Sequence, residues 1–428
     1  MLKKASFIFA FILILIFTLA ACDSCNGGYG FDDGNGLRFV LINDGTEYAV
    51  YGSYNKNSFE NIVIPSEFKG KPVTDVGGFY YNRSIIKTVE LPESITVISS
   101  SAFSNCESLT DVSFSEGVKP LSIGANAFSG CVSLKSIELP SNVTSLGKGV
   151  FKNCNSLENL TVASGNTVYK SDGNCITVIA TNTLIAGCNN SVVPDYVTVI
   201  GEEVFYNDKA LSGIAFAENS GLTYIEKNAF ANCESLINID LPESVETIGE
   251  SVFAGSALKS ISFVENSRLI NIGDMAFQNC KSLTAIEIPE SVMSIGDFAF
   301  SNCESLSSLT ISSNVKYVGN RAFFYHSPLT IYSEAESISD WWHILWNYSN
   351  RPVVWGCTLS GDKAYVVSFT KTETSIHNPA AGINAPYRKD YTFGGWAIEP
   401  GGEAEYAADE IANAPDGVTL YAVWNLTV

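Results

Sequence analysis

A segment of 23 to 25 residues recurs along most of this chain, and this repetition restricts the possible folds more than any other feature. Three clear copies begin at Ala127, Ala229 and Ala276, and they read AFSGCVSLKSIELPSNVTSLGKGVF, AFANCESLINIDLPESVETIGESVF and AFQNCKSLTAIEIPESVMSIGDFAF. A unit this short cannot bury its own apolar side chains, so successive units must stack and share one core. The sequence therefore predicts a solenoid.

One phenylalanine marks each copy and sets its register. Its positions are Phe103, Phe128, Phe151, Phe205, Phe230, Phe253, Phe277, Phe300 and Phe323. Tyr80 is expected to hold the same place one unit earlier. The step from Phe151 to Phe205 is 54 residues, so we expect a hairpin insertion at about residues 163–193. A stack of about ten rungs follows from these positions.

Each copy contains the pattern of a short strand followed by a helix-like turn. In the copy at Ala229, Ile239 and Leu241 alternate with Asp240, which predicts a strand with two inward side chains and one outward side chain. A proline often follows and ends the strand, because it has no backbone N–H to donate. The phenylalanine and a cysteine lie three residues apart, as Phe230 and Cys233 do, which places them on one face of a helical turn.

The run AFxxCxSLxxIxLPxSVxxIG resembles the BspA-like leucine-rich repeat family of bacterial surface proteins, over about residues 73–332. The resemblance implies a mainly β solenoid with short helical turns, and a role in adhesion or protein binding, with host matrix proteins or other cells as typical partners. We assign residues 79–332 to the repeats and residues 37–78 to an N-terminal cap. Residues 333–357 are rich in tryptophan and are expected to form a cap that closes the other end.

The last segment, residues 358–428, changes character. Its runs YTFGGW and TLYAVW resemble the internalin B-repeat family, also called the Listeria–Bacteroides repeat. The resemblance implies a small β-grasp-like module, although TKTETSIHNPAAG replaces the usual glycine-rich turn after the first strand. Its aromatic residues are interpreted as core, namely Tyr391, Phe393, Trp396, Tyr421 and Trp424.

The N-terminus has the features of an export signal. Lys3 and Lys4 precede an apolar stretch at residues 5–21, which is typical of a secretory signal peptide. Leu-Ala-Ala before Cys22 resembles a bacterial lipobox, which implies that Cys22 carries the lipid. An ordinary signal peptide and an uncleaved anchor are the alternatives. Residues 22–36 are glycine-rich and acidic and predict a flexible tether, so the chain is expected to be exported and lipid-anchored at the bacterial cell surface.

The charge balance excludes one class of partner. The net charge is −20 at pH 7, with 25 basic and 45 acidic residues. A protein that binds the phosphate backbone of nucleic acid needs a basic surface, so no nucleic-acid partner is expected. Direct docking on anionic lipid is disfavoured for the same reason.

Eight of the eleven cysteines fall into two groups. Six occupy one repeat position and are interpreted as small buried hydrophobic residues: Cys106, Cys131, Cys154, Cys233, Cys280 and Cys303. Cys175 and Cys188 bracket the insertion. If Thr181 and Asn182 form a two-residue turn, these cysteines face each other across a hairpin, which makes them a candidate disulfide.

The sequence contains no recognisable catalytic motif, so no enzymatic activity, cofactor or metal site is expected. Its three histidines have no metal-ligand spacing. The outward strand positions suggest a candidate binding surface for a flat polypeptide, with the acids Glu90, Glu138, Asp240 and Glu287. These acids lie two or more rungs apart, which is too far for a dense calcium cage.

These observations favour a cell-surface lipoprotein that recognises an extracellular protein or glycoprotein. Two other functions stay open at this point. The first is a passive structural spacer. The second is a hydrolase or glycan-capturing lipoprotein, for which the tryptophan-rich cap is the only candidate site.

Overall fold

A computed structural model of the chain describes residues 30–33, 36–52, 59–80, 83–264, 266–324, 329–360 and 365–427. The expected signal peptide, the lipidated Cys22 and most of the expected tether lie outside these residues. In the described part of the chain, no helix has both the length and the apolar character needed to cross a membrane.

The first six strands cover the N-terminal end of the stack. They are β1 (Phe31–Asp32), β2 (Leu37–Ile42), β3 (Glu47–Gly52), β4 (Asn61–Val63), β5 (Glu67–Phe68) and β6 (Lys71–Val76). β2 and β3 form an antiparallel hairpin around a 3-10 turn at Asn43–Gly45, and β3 then pairs in parallel with β6. The rings of Phe39 and Phe68 stack with centroids 3.9 Å apart beside Tyr48, which closes the apolar end.

Each repeat then contributes two short strands, which pair in parallel with their counterparts in the neighbouring repeats. Before the insertion these are β7 (Thr88–Leu91), β8 (Val97–Ile98), β9 (Asp111–Phe114), β10 (Leu121–Ile123), β11 (Ser136–Leu139), β12 (Val143–Leu146) and β13 (Asn159–Val162). β7 pairs with β9 and β11 with β13 on one side of the solenoid, while β6, β8, β10 and β12 pair in order on another. Leucine-rich-repeat geometry therefore extends from the cap into the insertion.

The insertion is a three-stranded antiparallel meander of β14 (Tyr169–Asp172), β15 (Cys175–Val178) and β16 (Thr183–Ala186). The two-residue turn predicted here is wrong, because four residues, 179–182, connect β15 to β16. Thr177 consequently pairs with Leu184, and the predicted register would have placed Ala186 there. Cys175 and Cys188 are free thiols in the structure, and their sulfurs donate to different acceptors, the oxygen of Val192 and Oδ1 of Asn190. Their pairing as a disulfide stays a prediction.

Parallel stacking resumes after the insertion. The strands are β17 (Val192–Val193), β18 (Val199–Ile200), β19 (Ala215–Phe216), β20 (Tyr224–Ile225), β21 (Asn238–Leu241), β22 (Thr247–Ile248), β23 (Ser260–Phe263), β24 (Asn271–Ile272), β25 (Ser294–Ile295), β26 (Ser308–Ile311), β27 (Tyr317–Val318) and β28 (Thr330–Ser333). β16 pairs with β18, so the meander is hydrogen-bonded into the second strand ladder.

The third side of each turn carries the phenylalanine and is also hydrogen-bonded between turns. The backbone N–H of Phe103 donates to the oxygen of Ala127, and that of Asn105 to the oxygen of Ser129, at 2.8 and 2.7 Å. Within a turn, the N–H of Cys106 donates to the oxygen of Phe103, three residues back, which forms the predicted short helical turn. The residue before each cysteine position adopts a positive φ, which asparagine and glycine tolerate best: Asn105, Gly130, Asn153, Asn207, Asn232, Gly255, Asn279 and Asn302.

A column of phenylalanine rings fills the centre of the solenoid. Successive rings stack with centroids 4.9 to 6.0 Å apart and planes within 18° of each other. The column begins at Phe79, so the place expected for Tyr80 is wrong. The N–H of Phe79 bonds to Ala102 in the same way that Phe103 bonds to Ala127, and this register leaves Tyr80 44% exposed.

The column is interrupted between Phe151 and Phe205, where the insertion enters. Gly187 lies against the Phe205 ring, and a Cβ on Gly187 would come within 2.7 Å of Cζ. The apolar core accordingly divides into two clusters that meet at the insertion. The hydroxyl of Tyr169 accepts a hydrogen bond from the N–H of Leu146 at the edge of the first half, where the next regular strand would have bonded.

The repeat cysteines form a second buried column beside the phenylalanines, which confirms their interpretation as core residues. Each sulfur after Cys106 donates to the carbonyl oxygen of the phenylalanine one turn earlier, at 3.0 to 3.3 Å. Burial raises the pKa of the Cys233 and Cys280 thiols to about 12, so these groups stay protonated at neutral pH. A neutral buried thiol is a weak nucleophile and a poor metal ligand.

Tryptophans close the C-terminal end of the stack. The ring of Trp346 packs edge-on against Phe323 at 6.0 Å, and Trp342 packs against Trp346 at 4.8 Å. Both rings are only 5% exposed, whereas Trp341 is 76% exposed. Trp342 and Trp346 therefore close the stack, whereas Trp341 presents its ring to solvent.

The C-terminal module is continuous with the solenoid. β29 (Val353–Val354) extends the β28 ladder and is followed by β30 (Cys357–Leu359), β31 (Val366–Thr370), β32 (Ile376–His377), β33 (Tyr391–Ala397) and β34 (Thr419–Leu426), with 3-10 helices at Pro379–Ala381 and Ala408–Asn413. The strands of the module pair in the order β30-β31-β34-β33, and β32 returns to pair with β29. The boundary expected between residues 357 and 358 falls within β30, because Cys357 already pairs with Phe369.

Trp396 forms the centre of the module core and is fully buried, together with Tyr332 and Val354 from the solenoid. Tyr391, Phe393, Tyr421 and Trp424 are only half-buried. The core interpretation is therefore correct for Trp396 and incomplete for the other four aromatic residues, which lie at the surface of the small sheet.

We predict that Phe230→Ala lowers the free energy of unfolding by about 3–5 kcal/mol, since it leaves a cavity between two stacked rings. Phe230 is fully buried and lies 5.2 Å from Phe205 and 5.5 Å from Phe253. Urea unfolding followed by tryptophan fluorescence measures the change, with the exposed Glu246→Ala as the control. A loss below about 1 kcal/mol would show that the column is not the main source of stability.

A second prediction concerns Asp75, on β6. Burial and the nearby Glu47 carboxylate raise the pKa of Asp75 from 3.8 to about 6. The folded chain thus holds this proton more tightly than the unfolded chain, and stability falls as the pH rises through this interval. Asp75→Asn should stabilise the protein at pH 7, by no more than about 2 kcal/mol, and should have no such effect near pH 3.5. Thermal melts at both pH values test this, and equal shifts at both would contradict it.

Candidate functional site

The outward side of the first segment of each repeat forms a face along the solenoid, which we call the strand surface. One position per repeat defines it, and all of these positions except Glu287 lie in strands: Glu90, Ser113, Glu138, Thr161, Ala215, Asp240, Ser262, Glu287 and Thr310. Parallel pairing aligns these positions directly, as in Glu90 opposite Ser113 and Asp240 opposite Ser262. Neighbouring side chains are therefore about 4.8 Å apart along the surface.

The strand surface is flat, polar and acidic. Glu90, Glu138 and Asp240 are exposed, and their binding role stays a prediction. The second outward position of each strand adds short polar residues, which hydrogen-bond along the surface, as Ser260 does to Asn238 at 2.7 Å. It also adds Asp111, which the sequence reasoning missed because it followed only one of the two outward positions that strand alternation creates.

The acids of the strand surface do not converge. A full strand separates Glu90 from Glu138, which is a distance of about 10 Å between their backbones. Among the described residues, no three histidine, cysteine, aspartate or glutamate side chains come close enough to hold a metal ion.

The C-terminal module covers one end of the strand surface. Residues 383–390 cross it, and the N–H groups of Asn384 and Lys389 donate to Thr330 Oγ1 at 2.8 Å and to Glu287 Oε1 at 2.9 Å. The hydroxyl of Tyr332 donates to the Asn384 carbonyl. Glu287 is consequently half-buried and Thr310 only 5% exposed, so the open surface ends before them.

The insertion divides the remaining surface into two segments. Its β14–β15 turn occupies the place of a strand between β13 and β17. The N–H of Val162 donates to Ser171 Oγ at 2.9 Å, and that of Val192 to the oxygen of Gly173 at 2.8 Å. Side-chain groups thus replace part of the backbone ladder, and β7–β13 and β17–β23 form separate stretches.

A groove of about 470 Å³ adjoins the second stretch, at the ends of β19 and β21. Its floor is the short Pro242 loop, which lies between longer loops of the preceding and following repeats. Arg268 borders the groove and forms an ion pair with Glu243 at 3.7 Å. The groove could accept a small polar side chain of a partner that lies on the strand surface.

The abundant serines mostly connect neighbouring turns. The hydroxyls of Ser244 and Ser291 each donate to a carbonyl oxygen one turn earlier at 2.7 Å, and Ser235 does so at 2.6 Å. His377 bonds to Asn350 through Nε2 at 2.7 Å, and Nδ1 of His343 accepts the N–H of Leu345. These contacts are structural, and none of them pairs a histidine with a serine or cysteine nucleophile.

Comparison with known proteins gives one family. A family model described as a BspA type leucine rich repeat region matches in six copies, over residues 74–177, 186–271 and 265–341. No curated protein sequence matches the chain.

Several solved structures are similar. The pneumococcal vaccine antigen PcpA is 18% identical and has a TM-score of 0.45, with 72% of this chain and 88% of that chain covered. A leucine-rich repeat protein from Eubacterium ventriosum is 19% identical, with a TM-score of 0.44 and coverages of 70% and 95%. A leucine-rich cell surface protein from Faecalibacterium prausnitzii is 24% identical, with a TM-score of 0.40 and coverages of 72% and 95%.

We predict that Glu287→Ala speeds hydrogen exchange of the Lys389 amide by about tenfold, because the change removes a charged acceptor that holds this N–H. Hydrogen exchange followed by mass spectrometry measures the effect in the peptide containing Lys389. Glu138→Ala is the matched control, since it occupies the equivalent position on the open surface. Unchanged hydrogen exchange would indicate that other contacts hold residues 383–390 on the strand surface.

Proposed function

This chain belongs to the family of proteins with a BspA-type leucine-rich repeat region, and we propose that it is a recognition protein of the bacterial cell surface. In this proposal the lipid on Cys22 holds it to a membrane, and the strand surface binds an extracellular protein or glycoprotein. The observation that carries the proposal is the open strand surface in two stretches, Glu90 to Thr161 and Ala215 to Ser262, whose positions face outward. Fold alone does not decide function, so the argument rests on this surface.

The construction of the strand surface suits protein recognition. Its backbone is held by parallel pairing on one side and by the stacked core beneath, so binding orders little of the chain and loses little entropy. Short side chains such as Ser113, Thr161 and Ser262 let a partner approach the strands closely. The carboxylates among them favour a partner whose contact face is basic.

The anchor and the module fit the same setting. A lipidated Cys22 followed by a flexible segment at residues 22–36 would hold the solenoid at a distance from the membrane. The C-terminal segment resembles the internalin B-repeat family, and we propose that it covers the last turns and presents the strand surface. The alternative is a passive spacer, and its signature is the absence of any partner.

We predict that the double variant Glu138→Lys and Asp240→Lys weakens binding to the partner by at least about tenfold, since each change reverses a charge within the contact face. The measurement is surface plasmon resonance of the chain from residue 37 against matrix glycoproteins and mucins. The matched control is Glu107→Lys with Glu116→Lys, which gives the same net charge from exposed acids outside both the strand surface and the groove. Equal loss of binding in both variants would show that the overall charge of the protein, and not these two positions, causes the effect. Binding by neither the native chain nor its variants would support the spacer.

We also predict that Cys22→Ser releases the protein from the membrane fraction and abolishes incorporation of radiolabelled palmitate. The reason is that the thiol is the only attachment point in the lipobox-like sequence. Cys25→Ser, three residues later, is the control and should keep both properties. Membrane retention of the Cys22→Ser protein without label would favour the uncleaved anchor.

A further inference from the structure

Arg388 lies in the segment that precedes β33, at the surface of the C-terminal module, and three aromatic rings surround it. Its guanidinium carbon is 3.5 Å from the centroid of Tyr391, 4.1 Å from that of Tyr365 and 5.9 Å from that of Trp424. Tyr365 and Trp424 contact each other edge to face at 6.1 Å. Nε1 of Trp424 donates to the oxygen of Val366 at 3.2 Å, which fixes the indole. We call these four residues the Arg388 cluster.

The guanidinium of Arg388 has no ion pair or hydrogen bond with any residue that the structure describes; its contacts there are the three rings. Acidic residues outnumber basic ones by 45 to 25, yet none of the described acidic side chains pairs with this guanidinium. Arg268, by comparison, is paired with Glu243. Stacking on aromatic faces keeps a guanidinium planar and oriented, and its N–H edge stays available to an outside acceptor.

We propose that the Arg388 cluster binds a glycan through the carboxylate of an acidic terminal sugar. The fork of guanidinium N–H groups matches a carboxylate in bidentate geometry. The half-buried rings of Tyr365, Tyr391 and Trp424 offer apolar area for the C–H face of a pyranose, and the two phenol groups offer hydrogen bonds to its hydroxyls. This site goes beyond the protein recognition proposed for the strand surface and does not depend on it.

The size and charge of the surroundings select the ligand class. The cluster comprises one cation with rings on three sides, which fits a single sugar unit. A polyanion would bring further charges against a chain of net charge −20, and these would be repelled. A neutral oligosaccharide that ends in one sialic or uronic acid avoids this repulsion. Lys389, the next residue, donates its N–H to Glu287, so the cluster borders the strand surface and one glycoprotein could contact both.

The test is saturation-transfer NMR and calorimetry of the full exported chain, with 3′-sialyllactose as the probe. We expect saturable binding, with lactose and the methyl ester of sialyllactose binding at least about tenfold more weakly, because both lack the carboxylate. Arg388→Gln should abolish binding, Arg388→Lys should retain part of it, and Arg268→Gln should leave it unchanged. The ester measurement uses the native chain and stays decisive if the Arg388 variants fail to fold.

Several outcomes would overturn the proposal. They are equal binding of lactose or the ester, unchanged binding by folded Arg388→Gln, absence of any binding, and tighter binding of heparin or polyglutamate than of sialyllactose. The strand-surface variant Glu138→Lys with Asp240→Lys should bind sialyllactose normally. The result for sialyllactose would therefore hold even if the strand surface bound no protein.

Discussion

The contact between one turn and the next is the interaction on which the rest of this structure depends. Each repeat is too small to fold alone, and it becomes stable only when its phenylalanine stacks on the ring of the neighbouring turn. The cysteine beside it donates its proton to the preceding phenylalanine carbonyl, and backbone hydrogen bonds connect the turns on all three sides. Stability is thus distributed along the axis of the solenoid. At the two ends and at the insertion a neighbouring turn is missing, so other residues must cover the core and supply the hydrogen bonds.

Such residues lie at both ends and at the insertion. Phe39 and Phe68 close one end, and Trp342 and Trp346 close the other, each pair covering rings that would otherwise contact water. At the insertion, Tyr169, Ser171 and Gly173 supply hydrogen-bonding groups that a regular strand would have supplied.

The C-terminal module limits how much of the strand surface is open to solvent. It shares a core with the last turns through Tyr332 and Trp396, and it covers the strand surface from Glu287 onward. In the proposed function, recognition is therefore confined to the earlier turns, and the Arg388 cluster lies beside the covered end of the strand surface. The acidic strand surface and the Arg388 cluster are thus two chemically distinct candidate sites, which we propose for a basic protein surface and for an acidic sugar.

The sequence by itself determined the solenoid, the phenylalanine and cysteine columns and the outward position of Glu90, Glu138 and Asp240, because each follows from a period inside one short unit. It could not distinguish Phe79 from Tyr80, or the register of the insertion hairpin, since a shift of one or two residues leaves the apolar pattern nearly unchanged. The cover over Glu287 and the grouping of Tyr365, Arg388 and Trp424 depended on tertiary structure alone. Both bring together residues far apart in the chain, and a local sequence period cannot predict which distant segments come into contact.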